Sequence, residues 1–168
     1  MGFTATQLSD LECIRAATTN YTHGLDRLDR DHMRAAYWPD STDDHGAEFC
    51  GNGWDFVDMA IETHVRWSPS LHCLMNQIFE LDDDGVHARG ESYCVAYLFD
   101  TESPVLFQWF GRYLDRFEKR GDEWRILERV CVSEGSRMDD PLVPMPFDLS
   151  GFRQGSFDRP SAGRPIGP

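Results

Sequence analysis

The sequence is short of positive charge. Over its 168 residues, 16 Lys and Arg stand against 29 Asp and Glu, a formal charge of −13. Such a surface repels phosphate backbones and anionic lipids, which argues against a nucleic-acid partner. Long apolar runs are missing as well. None approaches the roughly 20 residues that span a bilayer, and the first residues lack the basic and apolar regions of a secretory signal. The expectation is a cytoplasmic protein with no membrane partner. The five cysteines, Cys13, Cys50, Cys73, Cys94 and Cys131, are odd in number, scattered and never spaced as CxxC. They indicate neither a disulfide framework nor a zinc knuckle and read as small buried hydrophobes. There is no GxGxxG, P-loop or GxSxG, the one close glycine pair being Gly51 and Gly53. Nicotinamide, ATP and serine-hydrolase readings therefore lack support. Met1-Gly2 with Thr6 matches a myristoylation pattern and Asn20-Tyr21-Thr22 a glycosylation acceptor. Both are short enough to arise by chance.

What is present is an ordered change of texture. Ser9 and Glu12 make a capping box, and Leu8, Leu11, Ile14, Thr18, Tyr21, Leu25 and Leu28 recur at three- or four-residue steps. This predicts an amphipathic helix ending near Asp29. A short second helix, capped by Asp29 or Asp31, carries Met33, Ala36 and Tyr37 until Pro39 stops it. A strand follows over residues 41–50. Gly51-Asn52-Gly53 then turns into a third helix through Phe56, Val57, Ala60, Ile61 and Val65, ended by Ser68-Pro69. From Leu71 the pattern is β: residues 71–81 and 86–99 flank an Asp82-Asp83-Asp84-Gly85 turn, and 105–117 and 124–132 flank a polar turn over 118–122. The fold class is α+β, one domain over residues 1–140 with three N-terminal helices and long antiparallel strands. Residues 141–168 read as an extended Pro/Gly-rich tail with Phe147, Phe152 and Phe157, either laid on the pocket mouth or a neighbouring subunit, or a partly disordered end.

Asp26 lies in register with the apolar stripe of the first helix, where a carboxylate needs a partner. The alternative is a solvated pair with Arg30, four residues on. Strand alternation points His72, Leu74 and Asn76 to one face, giving an apolar cavity a polar end; His72 equally reads as a satisfied structural histidine. Tyr21 is a core aromatic with a hydroxyl to place, and Arg129 a strand residue beside Glu128. His45, behind Asp43 and Asp44, invites comparison with a metal site shared with His23 or His64. No HExxH or facial-triad spacing accompanies it, and such an acidic run is usually a solvated loop. No metal or other cofactor is expected. Trp109, Phe110 and Tyr113 read as strand-core aromatics, some of which line any pocket.

Several of these residues fall into a recognisable order. Tyr21 and Asp26, then Tyr37-Trp38-Pro39-Asp40, Asp44-His45-Gly46, His72 with Asn76, Gly111-Arg112-Tyr113-Leu114-Asp115-Arg116-Phe117 and Trp124-Arg125-Ile126-Leu127-Glu128-Arg129 resemble the SnoaL-like branch of the nuclear transport factor 2-like superfamily, over about residues 8–137. The resemblance implies a cone-shaped curved antiparallel sheet packed on three helices around an apolar pocket. It also implies a cofactor-free lyase, like the branch's dehydratases and dehydrochlorinase, on a hydrophobic hydroxylated aromatic or steroid-like molecule. A related variant, from lyases of lignin-derived aromatic dimers, adds C–C cleavage with formaldehyde release. On this reading Asp26 and His72 form the acid–base dyad, with Tyr21 and Arg129 polarising the leaving group. His45, Asn76, Tyr97, Trp109 and Arg112 contact substrate. Where relatives carry a second acidic or imidazole group on the strand after His72, this chain has Val95 or Tyr97. A ketosteroid-type isomerase and a non-catalytic small-molecule-binding module are the alternatives, since one fold hosts many functions. A homo-oligomer is expected, a trimer first and a dimer second.

Overall fold

The computed structural model describes residues 2–103 and 105–139. The tail expected from residue 141 onward lies outside them.

The first helix, α1 (Ala5–Arg27), starts earlier than its apolar stripe suggests. Thr4 Oγ1 accepts from the backbone N–H of Gln7, and Gln7 Oε1 accepts in turn from the backbone N–H of Thr4. The capping box is thus Thr4–Gln7, not Ser9–Glu12, which lie inside the helix. Leu28 closes α1 in the left-handed conformation, and Asp29 caps the five-residue α2 (Arg30–Arg34). Pro39 does not end that helix. It sits within β1 (Tyr37–Asp44), on the stretch between Tyr37 and Thr42 where the ladder to the neighbouring strand is interrupted, so its missing N–H breaks no regular pairing. A short β2 (Cys50–Asn52) returns antiparallel to β1, and Asn52 caps α3 (Gly53–His64) by accepting from the backbone of Trp54 and Asp55.

Four long strands follow: β3 (Trp67–Leu81), β4 (His87–Asp100), β5 (Leu106–Arg120) and β6 (Glu123–Asp139). They run as antiparallel hairpins in the order β2-β1-β6-β5-β4-β3. The expected antiparallel sheet has one exception, because β1 pairs parallel to β6. The polar turn after β5 shrinks to Gly121-Asp122, with Gly121 at φ +63° supplying the left-handed first position that a two-residue hairpin uses.

Ile14, Ala17, Tyr21 and Leu25 of α1 pack with Phe56, Val57 and Ala60 of α3 over the sheet residues Ala88, Phe117 and Ile126, all nearly solvent-free. Each large aliphatic side chain so buried contributes about 2 kcal/mol. The cysteines depart from expectation: Cys94 is buried, while Cys13, Cys50 and Cys73 are exposed. Cys13 lies on α1, and the partly buried Cys131 lies on β6.

The β3–β4 register shifts twice, between Trp67 and Ser70 at the start of β3 and again beyond His72. Met75 pairs with Tyr93 but Ile78 pairs with Glu91, leaving Asn76 and Gln77 opposite Ser92. Asn76 takes φ +43°, a conformation asparagine tolerates better than most residues. Because of this bulge, Gln77 replaces Asn76 on the inner face and donates to Thr18 Oγ1 (3.0 Å) and Ser92 Oγ (3.2 Å). The outer face of the sheet exposes Leu71, Met75, Ile78, Tyr93, Leu114 and Val130.

Candidate active site

A cavity of about 560 Å³ lies between α1, α3 and the inner face of the sheet, with the β1–β2 turn at one lip. Leu25, Phe56, Leu98, Phe107 and Trp109 give it largely apolar walls. Its polar groups are three imidazoles and two phenols, with Glu48, Thr63 and Ser133 besides, a combination suited to a flat hydrophobic ligand held by few directed bonds.

Asp26, on the last turn of α1, is 8% exposed and brings its carboxylate to β3. Ser70 Oγ donates to Oδ1 at 2.8 Å and the His72 backbone N–H donates to Oδ2 at 2.8 Å. His72 Nδ1 lies 2.6 Å from Oδ1. Alternation along β3 puts Ser70 and His72 on one face, so one carboxylate reads two side chains and the backbone between them. Since the carboxylate accepts, His72 donates from Nδ1 and holds its Nε2 lone pair for the cavity it lines. Arg30, the alternative partner of Asp26, pairs instead with Asp58 at 3.4 Å.

The run Asp43-Asp44-His45 is not the solvated loop its charge suggested. Alternation separates its members: Asp43 is fully buried, and His45 lines the cavity stacked on Phe56 at 4.2 Å between ring centroids. Asp43 Oδ2 accepts from the Tyr37 hydroxyl at 2.6 Å, and Oδ1 contacts His45 Nδ1 very closely. This second carboxylate–imidazole pair, and Tyr37 behind it, went unread in the sequence. The i, i+2 spacing of Asp43 and His45 on a strand was the available signal.

His64, at the end of α3, is a third cavity imidazole. Its Nδ1–H donates to the Ala60 carbonyl (3.2 Å), its ring lies 5.7 Å from that of His72, and its Nε2 is buried without a protein partner among the described residues. Burial, reinforced by His72, pushes its pKa down to about 4, so it is neutral at pH 7. His23, by contrast, lies against His32 and not on the cavity wall, and no group of three His, Cys, Asp or Glu among the described residues is placed to hold a metal.

Of the other expected site residues, Tyr21 and Trp109 line the cavity. Burial raises the Tyr21 and Tyr113 phenols well above their usual range, so both keep their protons. Arg129 does not reach the cavity. It is 1% exposed, forms a bidentate pair with Asp115 (2.7 and 2.8 Å), and lies between the Tyr21 and Tyr113 rings at 4.2 and 4.3 Å, under the site instead of in it. Asn76 is displaced by its bulge. Arg112 and Tyr97 are on the other face: Arg112 pairs with Glu134 (2.7 Å), and Tyr97 alternates with Ala96 and Leu98, the β4 residues that line the cavity. Alternation from His72 without the β3–β4 register had left the face of Tyr97 undetermined. The Trp109 indole is held over Gly111, where a Cβ would come within 2.1 Å of its ring, and donates to Ser133 Oγ at 3.0 Å.

A search of curated proteins found no match. Among solved structures, a protein of Novosphingobium aromaticivorans provisionally assigned as a scytalone dehydratase superposes with a TM-score of 0.73 at 17% identity, covering 87% of this chain and 99% of its own. A hexachlorocyclohexane dehydrochlorinase of Novosphingobium barchaimii gives 0.74 at 14% identity, covering 83% and 97%. A cystatin-like protein of unknown function from Nostoc punctiforme gives 0.61 at 18%, covering 80% and 96%. At these identities the likeness is one of fold. The family model of the SnoaL-like domain matches residues 6–130, and by that match the chain belongs to the SnoaL-like family of the nuclear transport factor 2-like superfamily.

Proposed function

We propose that the protein is a cofactor-independent lyase that eliminates water from a hydrophobic hydroxylated aromatic or steroid-like molecule, with His72 as base. The observation that carries this reading is the triple hold of Asp26 on Ser70, the His72 backbone and His72 Nδ1, beside an apolar cavity. An imidazole so fixed has one tautomer and one direction, and its carboxylate offsets the charge that develops when Nε2 takes a proton. Carbon loses that proton, the C–O bond breaks, and a conjugated alkene and water form. Tyr21, a protonated phenol on the wall, positions the substrate hydroxyl. Arg129 acts from below by holding the Tyr21 and Tyr113 rings. Two structural neighbours, a provisionally assigned dehydratase and a dehydrochlorinase, belong to the same reaction class.

The test is incubation of chelator-treated protein with hydroxylated steroids, polyketide phenols and diarylpropane diols, following ultraviolet absorbance for new conjugation and assaying formaldehyde. His72→Ala and Asp26→Asn should each lose about 100-fold or more, the usual contribution of general-base catalysis. Conjugation that persists in His72→Ala, or ligand binding without turnover in every sample, refutes the proposal. The exposed apolar outer face supports a homo-oligomer, a trimer first and a dimer second.

A further inference from the structure

The cavity holds two carboxylate–imidazole pairs of the same construction, and the proposed elimination uses one. In both, a buried aspartate accepts from imidazole Nδ1 and has its other oxygen occupied: by the His72 backbone at Asp26, by the Tyr37 hydroxyl at Asp43. In both, the imidazole lines the cavity. They arrive from opposite sides of the sheet, since β6, β5 and β4 separate the strand of Asp43 from that of His72. His45 is further fixed by its own backbone, which donates to the Phe49 carbonyl at 2.7 Å, and by its stack on Phe56.

The His45 side chain is 17% exposed, and its Nε2 has no protein hydrogen-bond partner among the described residues. Nor does the packing call for Asp43. A carboxylate taken fully out of water is costly unless charge and hydrogen bonds compensate. Arg129, the register partner of Asp43 across β1 and β6, spends Nε and Nη2 on Asp115 and leaves Nη1 without a partner among the described residues, so the ring nitrogen in direct contact with the Asp43 carboxylate is His45 Nδ1.

We infer that His45 is a second catalytic imidazole, the acid that protonates the departing oxygen while His72 removes the carbon-bound proton, with Asp43 and Tyr37 positioning it. This rests on the elimination reading above. His72 Nε2 takes the proton, the C–H electron pair becomes the new C=C bond, and the C–O pair leaves with oxygen. The proton on His45 Nε2 passes to that oxygen, which departs as water. His72 ends protonated and His45 neutral, and exchange with solvent at the lip formed by Gly46 and Glu48 resets both.

An acid is needed for hydroxide to leave and not for chloride, which gives the test. 3-Hydroxy-1,3-diphenylpropan-1-one and its 3-chloro analogue both yield chalcone, read by absorbance after subtraction of the uncatalysed rate. His45→Gln should lower kcat/KM for the alcohol by about 100-fold or more and for the chloride by less than about 10-fold. His72→Ala should lower both by about 100-fold. Asp43→Asn and Tyr37→Phe should shift the alcohol-to-chloride ratio in the same direction as His45→Gln, which a loss of fold cannot do. Equal losses of His45→Gln on both compounds, or no loss on either, overturn the acid role while leaving His72 as base intact. Undiminished turnover in His72→Ala, or no chalcone from the unaltered protein with either compound, instead refutes the elimination reading and this inference with it.

Discussion

His64 offers a quantitative check that needs no substrate. The folded protein holds this imidazole neutral, its pKa moved from 6.5 to about 4 chiefly by burial. Unfolding returns it to water, where it takes up a proton as soon as the pH falls below about 6.5. Between those values the unfolded state binds more protons, so the contribution to stability is complete above pH 6.5 and is lost as the pH falls towards 4. The gap is worth about 3 kcal/mol in all, of which about 2 kcal/mol has gone by pH 5. Replacing His64 by Asn removes the titration but keeps an N–H able to donate to the Ala60 carbonyl. Urea unfolding of both proteins at pH 7.5, 6 and 5 cancels the carboxylates they share, and the unaltered protein should lose about 2 kcal/mol more than the variant. Equal slopes, or a His64 ring proton titrating near pH 6.5 by NMR, would refute the burial argument.

Three further outcomes follow from the packing. Arg129→Met strands the Asp115 carboxylate in the core and should cost about 3–5 kcal/mol in chemical denaturation, with much of it recovered when Asp115→Leu is added. No recovery in the double variant would mean that Arg129 acts mainly through its tyrosine neighbours Tyr21, Tyr37 and Tyr113. Gly111→Ala drives a Cβ to 2.1 Å from the Trp109 ring and 2.4 Å from the Val132 carbonyl. It should lower the melting temperature and shift the tryptophan fluorescence, and an unchanged spectrum would contradict the described indole position. On the proposed self-association through the outer face, the unaltered protein should sediment as an oligomer and Leu114→Lys, an exposed residue of that face, should lower its mass without altering the fold; a monomeric mass for the unaltered protein, or an unchanged mass in the variant, would refute that role for this face.

The parts of the fold that were legible in the sequence are those where one local rule acts alone. The two long hairpins show because β-branched and aromatic runs flank turns at Gly85 and Gly121, and α1 shows because Ile14, Tyr21 and Leu25 keep helical step. Where two rules compete, the reading slips. Pro39 is a helix breaker that here lies in an interrupted ladder, and the charge of Asp43-Asp44-His45 masks an alternation that buries one member and exposes its neighbour less sparingly. The meeting of Asp26 with His72 is 46 residues apart in sequence, and only the resemblance linked them. His64 has no local signature, because its neutral state is made by what folds over it. Arg129 read as a strand residue beside Glu128 and, by the resemblance, as a group polarising the substrate; its burial against Asp115 was not legible, because that partner lies across a strand pair whose register no spacing rule supplies.

The bulge at Asn76 divides β3 into two halves with opposite phase. His72 and Leu74 look inward by even numbering, Gln77 and Phe79 by odd. Residue count along this strand is therefore a coded quantity. Deletion of one residue between Met75 and Ile78 would turn either the His72 half or the Gln77 half outward, whereas one more residue in the Asp82–Val86 turn changes no side chain's face. A library of single-codon insertions and deletions should show tolerance at that turn and near-complete intolerance a few residues earlier, although Asn76 itself is exposed to solvent.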